Sequence, residues 1–303
     1  KNNLPPDFKI IGVSRRELSE EGFRAHLAAS LARYKDIPGD RRFKPFLRRF
    51  SFVRGFFTER YTYEDLSRIL DKKFRLFFYL AVAPRFYKPI LQNLSRAKLN
   101  TSQSAILVEK PFGLNLGGAR ELNRLLEKYF PEKGIYRIDH YLAKDGLLKL
   151  FEARFKEKFL EKKLDRSEVA RVEIRLLEAL GVEGRGEFYD KVGAFLDVGQ
   201  NHLLEMLAIL AMSRPKNLSA AEVSGKRAEI LKTLKILSRS EIKALTRRAQ
   251  YQGYTKIKGV RPASRTETYF KITAYLREVR WRGIPILLES GKRMPETRKE
   301  IVV

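Results

Sequence analysis

The chain has 303 residues, 44% of them hydrophobic, and 62 Lys and Arg against 36 Asp and Glu give a formal net charge of +26. That length suffices for two domains with cores of their own, and that composition excludes a disordered chain. No apolar run approaches the ~20 residues of a membrane span. The absence of cysteine excludes disulfides, thiolate metal sites and cysteine nucleophiles, and is compatible with a cytoplasmic location.

In chain order, Phe8 to Val13 reads as a buried strand ending at a turn. Ser19 caps a helix that runs to Arg33, with Glu20 and Glu21 in its first turn. Phe77 to Val82 and Ala105 to Val108 are short apolar runs of the parallel-strand type. Leu116, Ala119, Leu122 and Leu126 mark one face of a helix. Strands and helices alternate to about Arg137, which predicts an α/β, doubly wound, Rossmann-like sheet. Ligands of such sheets gather at the carboxyl ends of the strands, where Lys110 and Asp139 fall.

Beyond Lys144 the period changes. Val172, Ile174 and Leu176 alternate with Arg171, Glu173 and Arg175; Phe270, Ile272, Ala274 and Leu276 alternate with Tyr269, Lys271, Thr273 and Tyr275. Period two predicts an antiparallel sheet with one wet face, and Phe188 to Met212 between these runs is predicted to be largely helical. The expected organisation is a Rossmann-like domain over residues 1–144 and an α+β domain with a large, mainly antiparallel sheet over 145–303.

The excess of positive charge is spread over Arg41-Arg42, Lys44, Arg48-Arg49, Lys156 to Lys163, Arg247-Arg248 and Arg293 to Lys299. It is read either as a solvated basic surface or as a nonspecific attachment to nucleic acid or another polyanion. Phe43, Phe46 and Phe50 interleave the first cluster with a spacing that suits core packing as well as base stacking.

Chemistry concentrates in two blocks. Arg137-Ile138-Asp139-His140-Tyr141-Leu142-Ala143-Lys144 puts a carboxylate, an imidazole, a phenol and an ammonium side by side, a set that can hold an anion and steer a proton. Asp197-Val198-Gly199-Gln200-Asn201-His202 surrounds the last of only three histidines. An imidazole acts as a general base near neutral pH when a carboxylate fixes its tautomer. His26 lies mid-helix beside no motif and reads as a surface residue. Spacing alone leaves plainer readings open for the others, such as a satisfied helix histidine, surface salt bridges and a solvated loop.

These blocks resemble the glucose-6-phosphate dehydrogenase family, which carries Arg-Ile-Asp-His-Tyr-Leu-Gly-Lys and Asp-Val-x-Gln-Asn-His. Further matches keep the same order: Glu109-Lys110-Pro111-Phe112-Gly113, Gly184-Arg185-Gly186 before Phe188-Tyr189, Gln252-Gly253-Tyr254, Ser264-Arg265-Thr266-Glu267-Thr268, Arg280-Trp281-Arg282-Gly283-Ile284-Pro285 and Ser290-Gly291-Lys292-Arg293. The chain departs from the family in five places. It starts after the Gly-x-x-Gly-Asp-Leu-Ala turn that cradles the coenzyme pyrophosphate, so a first strand is expected to be missing. It stops at Ile301-Val302-Val303, inside an expected strand of the large sheet. Arg154-Phe155-Lys156-Glu157 and Leu164-Asp165-Arg166 replace Arg-Phe-Ala-Asn and Trp-Asn-Arg. Leu196 replaces an arginine.

The resemblance implies oxidation of D-glucose 6-phosphate to 6-phosphoglucono-lactone with NADP as coenzyme and no metal. His202 would be the base and Asp139 its partner. His140, Tyr141, Lys144 and Lys292 would bind the sugar phosphate, and Glu178 and Asp197 would accept from sugar hydroxyls. Lys110 would donate to both sugar and nicotinamide. Arg15 would meet the ribose 2′-phosphate, where NAD enzymes tend to have an acid, and Tyr87 would lie near the coenzyme. A homodimer or higher homo-oligomer through the large sheet is expected. The alternative is a non-catalytic basic descendant of the family, acting as a structural or nucleic-acid-associated subunit.

Overall fold

Strand β1 (Ile10–Ser14) pairs in parallel with β2 (Phe50–Arg54), Gly12 standing opposite Phe52. Helix α1 (Glu20–Leu31) begins at Ser19, whose hydroxyl accepts the Gly22 N–H. Its Phe23 ring packs 5.0 Å from Phe52 and comes so close to Gly12 that a Cβ there would lie 2.6 Å from it. Short helix α2 (Phe43–Leu47) lays Phe46 edge-on to the buried Phe50, 5.1 Å away. Of the aromatics in the first basic cluster, Phe46 and Phe50 thus pack on each other and Phe43 is half-buried; Arg41 and Arg42 lie outside the described residues. The computed structural model describes residues 5, 7–33, 43–71, 74–110, 112–113, 115–157, 160–161 and 163–303. Pro111 of the Lys110-Pro111 match is outside them too.

The first unit, Lys1–Ile138, continues with α3 (Arg60–Ile69), β3 (Phe77–Leu80), α4 (Tyr87–Arg96), β4 (Ala105–Glu109), α5 (Leu116–Tyr129) and β5 (Ile135–Ile138). Strands β3, β4 and β5 form a parallel ladder in that order. Parallel pairing is as predicted, and among the described residues the five strands are hydrogen-bonded as a pair and a triplet. Leu91, Leu94, Ile106, Val108 and Leu126 form the core. Leu116 was expected on the buried face of α5 and is 66% exposed, because the first turn after the Asn115 cap has not yet reached that core.

The second unit, Asp139–Val303, contains α6 (Asp145–Phe155), β6 (Val172–Glu178), α7 (Gly186–Ala194), a π-helical segment Phe195–Leu203, α8 (Leu204–Ala211), α9 (Ala220–Leu231), α10 (Arg239–Leu245), β7 (Thr246–Ala249), β8 (Tyr269–Ala274), β9 (Ile286–Lys292) and β10 (Arg298–Val302). The sheet order is β10-β6-β9-β8-β7, antiparallel except for the parallel β6–β9 pair. Val172, Ile174 and Leu176 face the core as the period-two pattern requires. The other face is less wet than expected. Glu173 and Glu289 are buried there, and Arg175 bridges them to Glu300, with Nε 3.2 Å from Glu289 and Nη1 3.0 Å from Glu300. Charges that meet across neighbouring strands shield one another from water.

Helix α8 runs through the centre of this unit, and its last carbonyls are capped by side chains. Arg154, fully buried, donates to Ile209 O at 2.7 Å and Met212 O at 2.9 Å, while Trp281 Nε1 donates to Ala211 O at 2.9 Å. Burial draws the Arg154 guanidinium down to about 10, against the opposing pull of Glu161 at 3.0 Å. Arg154→Met should destabilise the protein by about 3–5 kcal/mol, the usual cost of breaking a buried charged network, read from the urea midpoint at constant m-value.

A second anchor is Asp190 in α7. Burial disfavours its charge, but hydrogen bonds from Ser264 and from Arg261 Nε at 2.7 Å outweigh that and bring it down to about 2. A depressed carboxylate contributes stability above its unfolded pKa and loses it as pH falls through the folded one. Thermal melts should therefore show an acid-dependent loss between about pH 4 and pH 2 that is reduced in Asp190→Asn.

Candidate functional site

Where β5 ends, Asp139 caps a 3-10 turn over His140–Ala143, its Oδ1 accepting the Tyr141 N–H at 2.9 Å. The same carboxylate reaches His202 Nδ1, 2.9 Å from Oδ1 and 3.1 Å from Oδ2. The two residues stand 63 positions apart, which is why spacing could not reveal the pair. Only 3% of the His202 side chain and 9% of the Asp139 side chain are exposed. The Tyr141 ring stacks on the imidazole at 3.9 Å and 25°, and His140 meets it edge-on at 4.8 Å. The ring is held in its plane by the carboxylate and on its face by the phenol. With the proton on Nδ1, the basic lone pair is on Nε2.

His202 comes from the π-helical segment. In an α-helix, residues five apart point roughly 140° away from each other. The wider π turn closes hydrogen bonds at i→i+5 and brings Asp197 and His202 toward one side. Burial, then Glu178, Asp139 and Asp197, raises the Tyr141 phenol above its ordinary value, so at neutral pH it keeps its proton and can donate. Glu178 and Lys292 stand opposite each other at the ends of β6 and β9 and form an ion pair, Lys292 buried and Glu178 partly open.

Lys144 is exposed at the start of α6. With Tyr141 it lines a cavity of about 810 Å³ whose other walls are largely apolar, Leu147, Leu176, Met206 and Ile301 among them. Tyr141 therefore belongs both to this cavity and to the cluster around His202. Donor atoms of Asp139, His140 and His202 lie within 4.8 Å of one another, a spacing that by itself would admit a metal ion. The carboxylate is, however, already engaged with the Tyr141 N–H and the His202 ring.

The structure thus brings Asp139, His140, Tyr141 and His202 into contact and pairs Glu178 with Lys292. Arg15, Lys110 and Tyr87 belong to the first unit. Arg15 is exposed just after β1, and Lys110 directly follows β4. Tyr87 is 2% exposed, with its ring in the core and its hydroxyl 3.5 Å from the Glu109 carbonyl. His26 lies exposed on α1, as expected. Sequence reasoning assigned no role to Tyr189. It is fully buried, its hydroxyl has no hydrogen-bond partner among the described residues, and burial together with Asp197 raises its pKa. Its place in the Phe188-Tyr189 block was the only signal for it.

Residues 1–148 match the model for the NAD binding domain of glucose-6-phosphate dehydrogenase, and residues 151–303 match the model for the C-terminal domain of the same family. The chain belongs to the glucose-6-phosphate dehydrogenase family.

Among its relatives is the glucose-6-phosphate 1-dehydrogenase of Borreliella burgdorferi, 34% identical, with 100% of this chain and 65% of that protein covered. That of Helicobacter pylori is 35% identical, with 98% and 68% covered. The solved structure of the Mycobacterium avium enzyme superposes with a TM-score of 0.90 at 34% identity, over 97% of this chain and 64% of that one. A glucose-6-phosphate dehydrogenase solved in complex with its substrate glucose-6-phosphate gives 0.88 at 30% identity, over 97% and 63%. The chain therefore spans about two thirds of the length of these relatives. The family's arrangement, a Rossmann-like domain followed by an α+β domain, is the one predicted.

Proposed function

We propose that the chain oxidises D-glucose 6-phosphate to 6-phosphoglucono-lactone with reduction of NADP+, the entry step of the pentose phosphate pathway. The observation that carries this reading is the buried Asp139–His202 pair under Tyr141 in a chain of this family. Oxidising a cyclic hemiacetal requires loss of the hydroxyl proton as the anomeric C–H bond breaks. His202 Nε2 takes that proton and Asp139 stabilises the resulting imidazolium without accepting it. The nicotinamide ring supplies the acceptor for the hydride. His140, Tyr141, Lys144 and Lys292 supply cationic and hydroxyl donors for the phosphate dianion. Glu178 and Asp197 accept from sugar hydroxyls.

The first unit suits a dinucleotide, because its parallel strands present Arg15 and Lys110 at their carboxyl ends. Arg15 meets the 2′-phosphate of NADP, Lys110 donates to both sugar and nicotinamide, and Tyr87 lies on the coenzyme side. The same reading makes the protein a cytoplasmic enzyme that pairs through the second unit's sheet, and its surplus charge a nonspecific polyanion binder that salt disrupts. The alternative of a nucleic-acid-associated subunit has no observation in its favour.

His202→Asn should lower kcat by at least ~10²-fold, the usual cost of losing a general base, while calorimetry with glucose 6-phosphate shows binding largely kept. A variant with near-normal turnover would remove His202 from the mechanism. NADP+ should be preferred over NAD+ by at least about tenfold in kcat/KM, a difference of about 1.4 kcal/mol, and Arg15→Ala should narrow the gap. Equal use of both coenzymes by the unmodified protein would contradict the assignment of Arg15.

A further inference from the structure

We infer that Glu267, in the loop before β8, is a positioning residue that caps and aims the helix carrying Asp197 and His202; this rests on the reading of His202 as the base. Helix α7 breaks at Gly193, where φ is +73° and ψ 171°. The break ends one helix and starts another, which leaves new backbone N–H groups in need of acceptors. Glu267 supplies two of them. Its carbonyl accepts the Ala194 N–H at 3.0 Å and its Oε1 accepts the Phe195 N–H at 3.2 Å. Its other oxygen pairs with Arg248 at 3.1 Å, and only 13% of the side chain is exposed.

An ordinary N-cap uses the side chain of the residue before the helix. Here that residue is a glycine, and the acceptor comes from a loop far along the chain. Glycine is required twice over. Its φ is left-handed, and a Cβ at position 193 would lie 2.6 Å from Glu267 Oε1. The carboxylate is also well placed for the positive end of the helix it caps.

The capped segment leads directly into the π-helical turn with Asp197 and His202. The loop that holds Glu267 is itself fixed. Gln250 Nε2 donates to Ser264 O at 2.9 Å and Thr266 O at 2.8 Å, and Thr266 Oγ1 donates to Asp190 O at 2.7 Å. Thr268 O accepts the Lys292 N–H at 2.9 Å. One loop therefore sets both the start of the His202 segment and the level of Lys292. Asp139 stands on a separate turn, so any slide or rotation of the capped segment moves His202 Nδ1 relative to its carboxylate. A displacement of about 1 Å at a reacting group can cost ~10²-fold in rate.

The test compares Glu267→Gln, Glu267→Asp and Glu267→Ala in the whole chain. Gln keeps an acceptor oxygen at the same reach. Asp keeps the charge but falls one methylene short of the Phe195 N–H. Expected are a kcat about tenfold or more lower with little change in KM for Asp and Ala, and near-normal values for Gln. Placement is read independently of turnover by NMR of the imidazoles, tractable because the chain has three histidines. In the Asp and Ala variants the His202 signal should shift while that of His26 stays, and Gln should restore it. If Ala does not fold, the Asp and Gln pair decides. An Asp variant with the wild-type His202 signal and kcat, or a Gln variant as impaired as Asp, would overturn the inference. An unmodified protein that reduces no coenzyme would count against the proposed activity, and the His202 signals of the variants would still decide the role of Glu267.

Discussion

The buried bond between Asp139 and His202 is the constraint that the second unit is built to meet. A carboxylate and an imidazole with 9% and 3% of their side chains exposed cannot rely on water to solvate them, so each must find its partner at good geometry. Asp139 is fixed because the same carboxylate caps its own 3-10 turn. His202 is fixed because its helix is held at both ends, by Glu267 at the start and by Arg154 and Trp281 at the finish. The two residues come from separate turns, 63 positions apart in the chain. Their meeting is therefore a property of the whole unit's packing, and small strains anywhere along that helix are felt at the pair.

Legibility in the sequence follows the range of the interaction. The Ser19 cap, the alternation in β6 and β8 and the apolar runs of β3 and β4 are local patterns, and each element forms close to where it was read. Strand β2 was hidden because Phe50 and its neighbours lie within a run of arginines, where charge masked the strand. The π turn had no local signal, since nothing in Asp197 to His202 distinguishes it from an α-helix until tertiary contacts fix Gly193 and Phe195. The burial of Glu173 and Glu289 was equally hidden, because polar residues in a period-two run read as solvent-facing. Their partner Arg175 is the closing element of a network that spans three strands. For the site, the two motif blocks marked the chemistry correctly by type, but the bond between them was carried by resemblance alone.

In the first block that departs from the family pattern, the changes follow burial. In Arg154-Phe155-Lys156-Glu157 the first two residues match the family, and they are the buried ones: Arg154 caps α8 and Phe155 lies in the core. Lys156 and Glu157, which differ, are exposed. In the second block Leu164 replaces a tryptophan at a buried position and keeps it apolar, while Arg166 matches although it is exposed. A fold tolerates change where side chains meet water and resists it where a buried donor or a packed volume must be supplied. The same rule accounts for the surplus of positive charge. The buried cations Arg154 and Lys292 are paired with carboxylates or backbone carbonyls, while most lysines and arginines lie at the surface, where changing them costs the fold little. The +26 charge is therefore a property of the surface, set with little reference to the buried pair that defines the site.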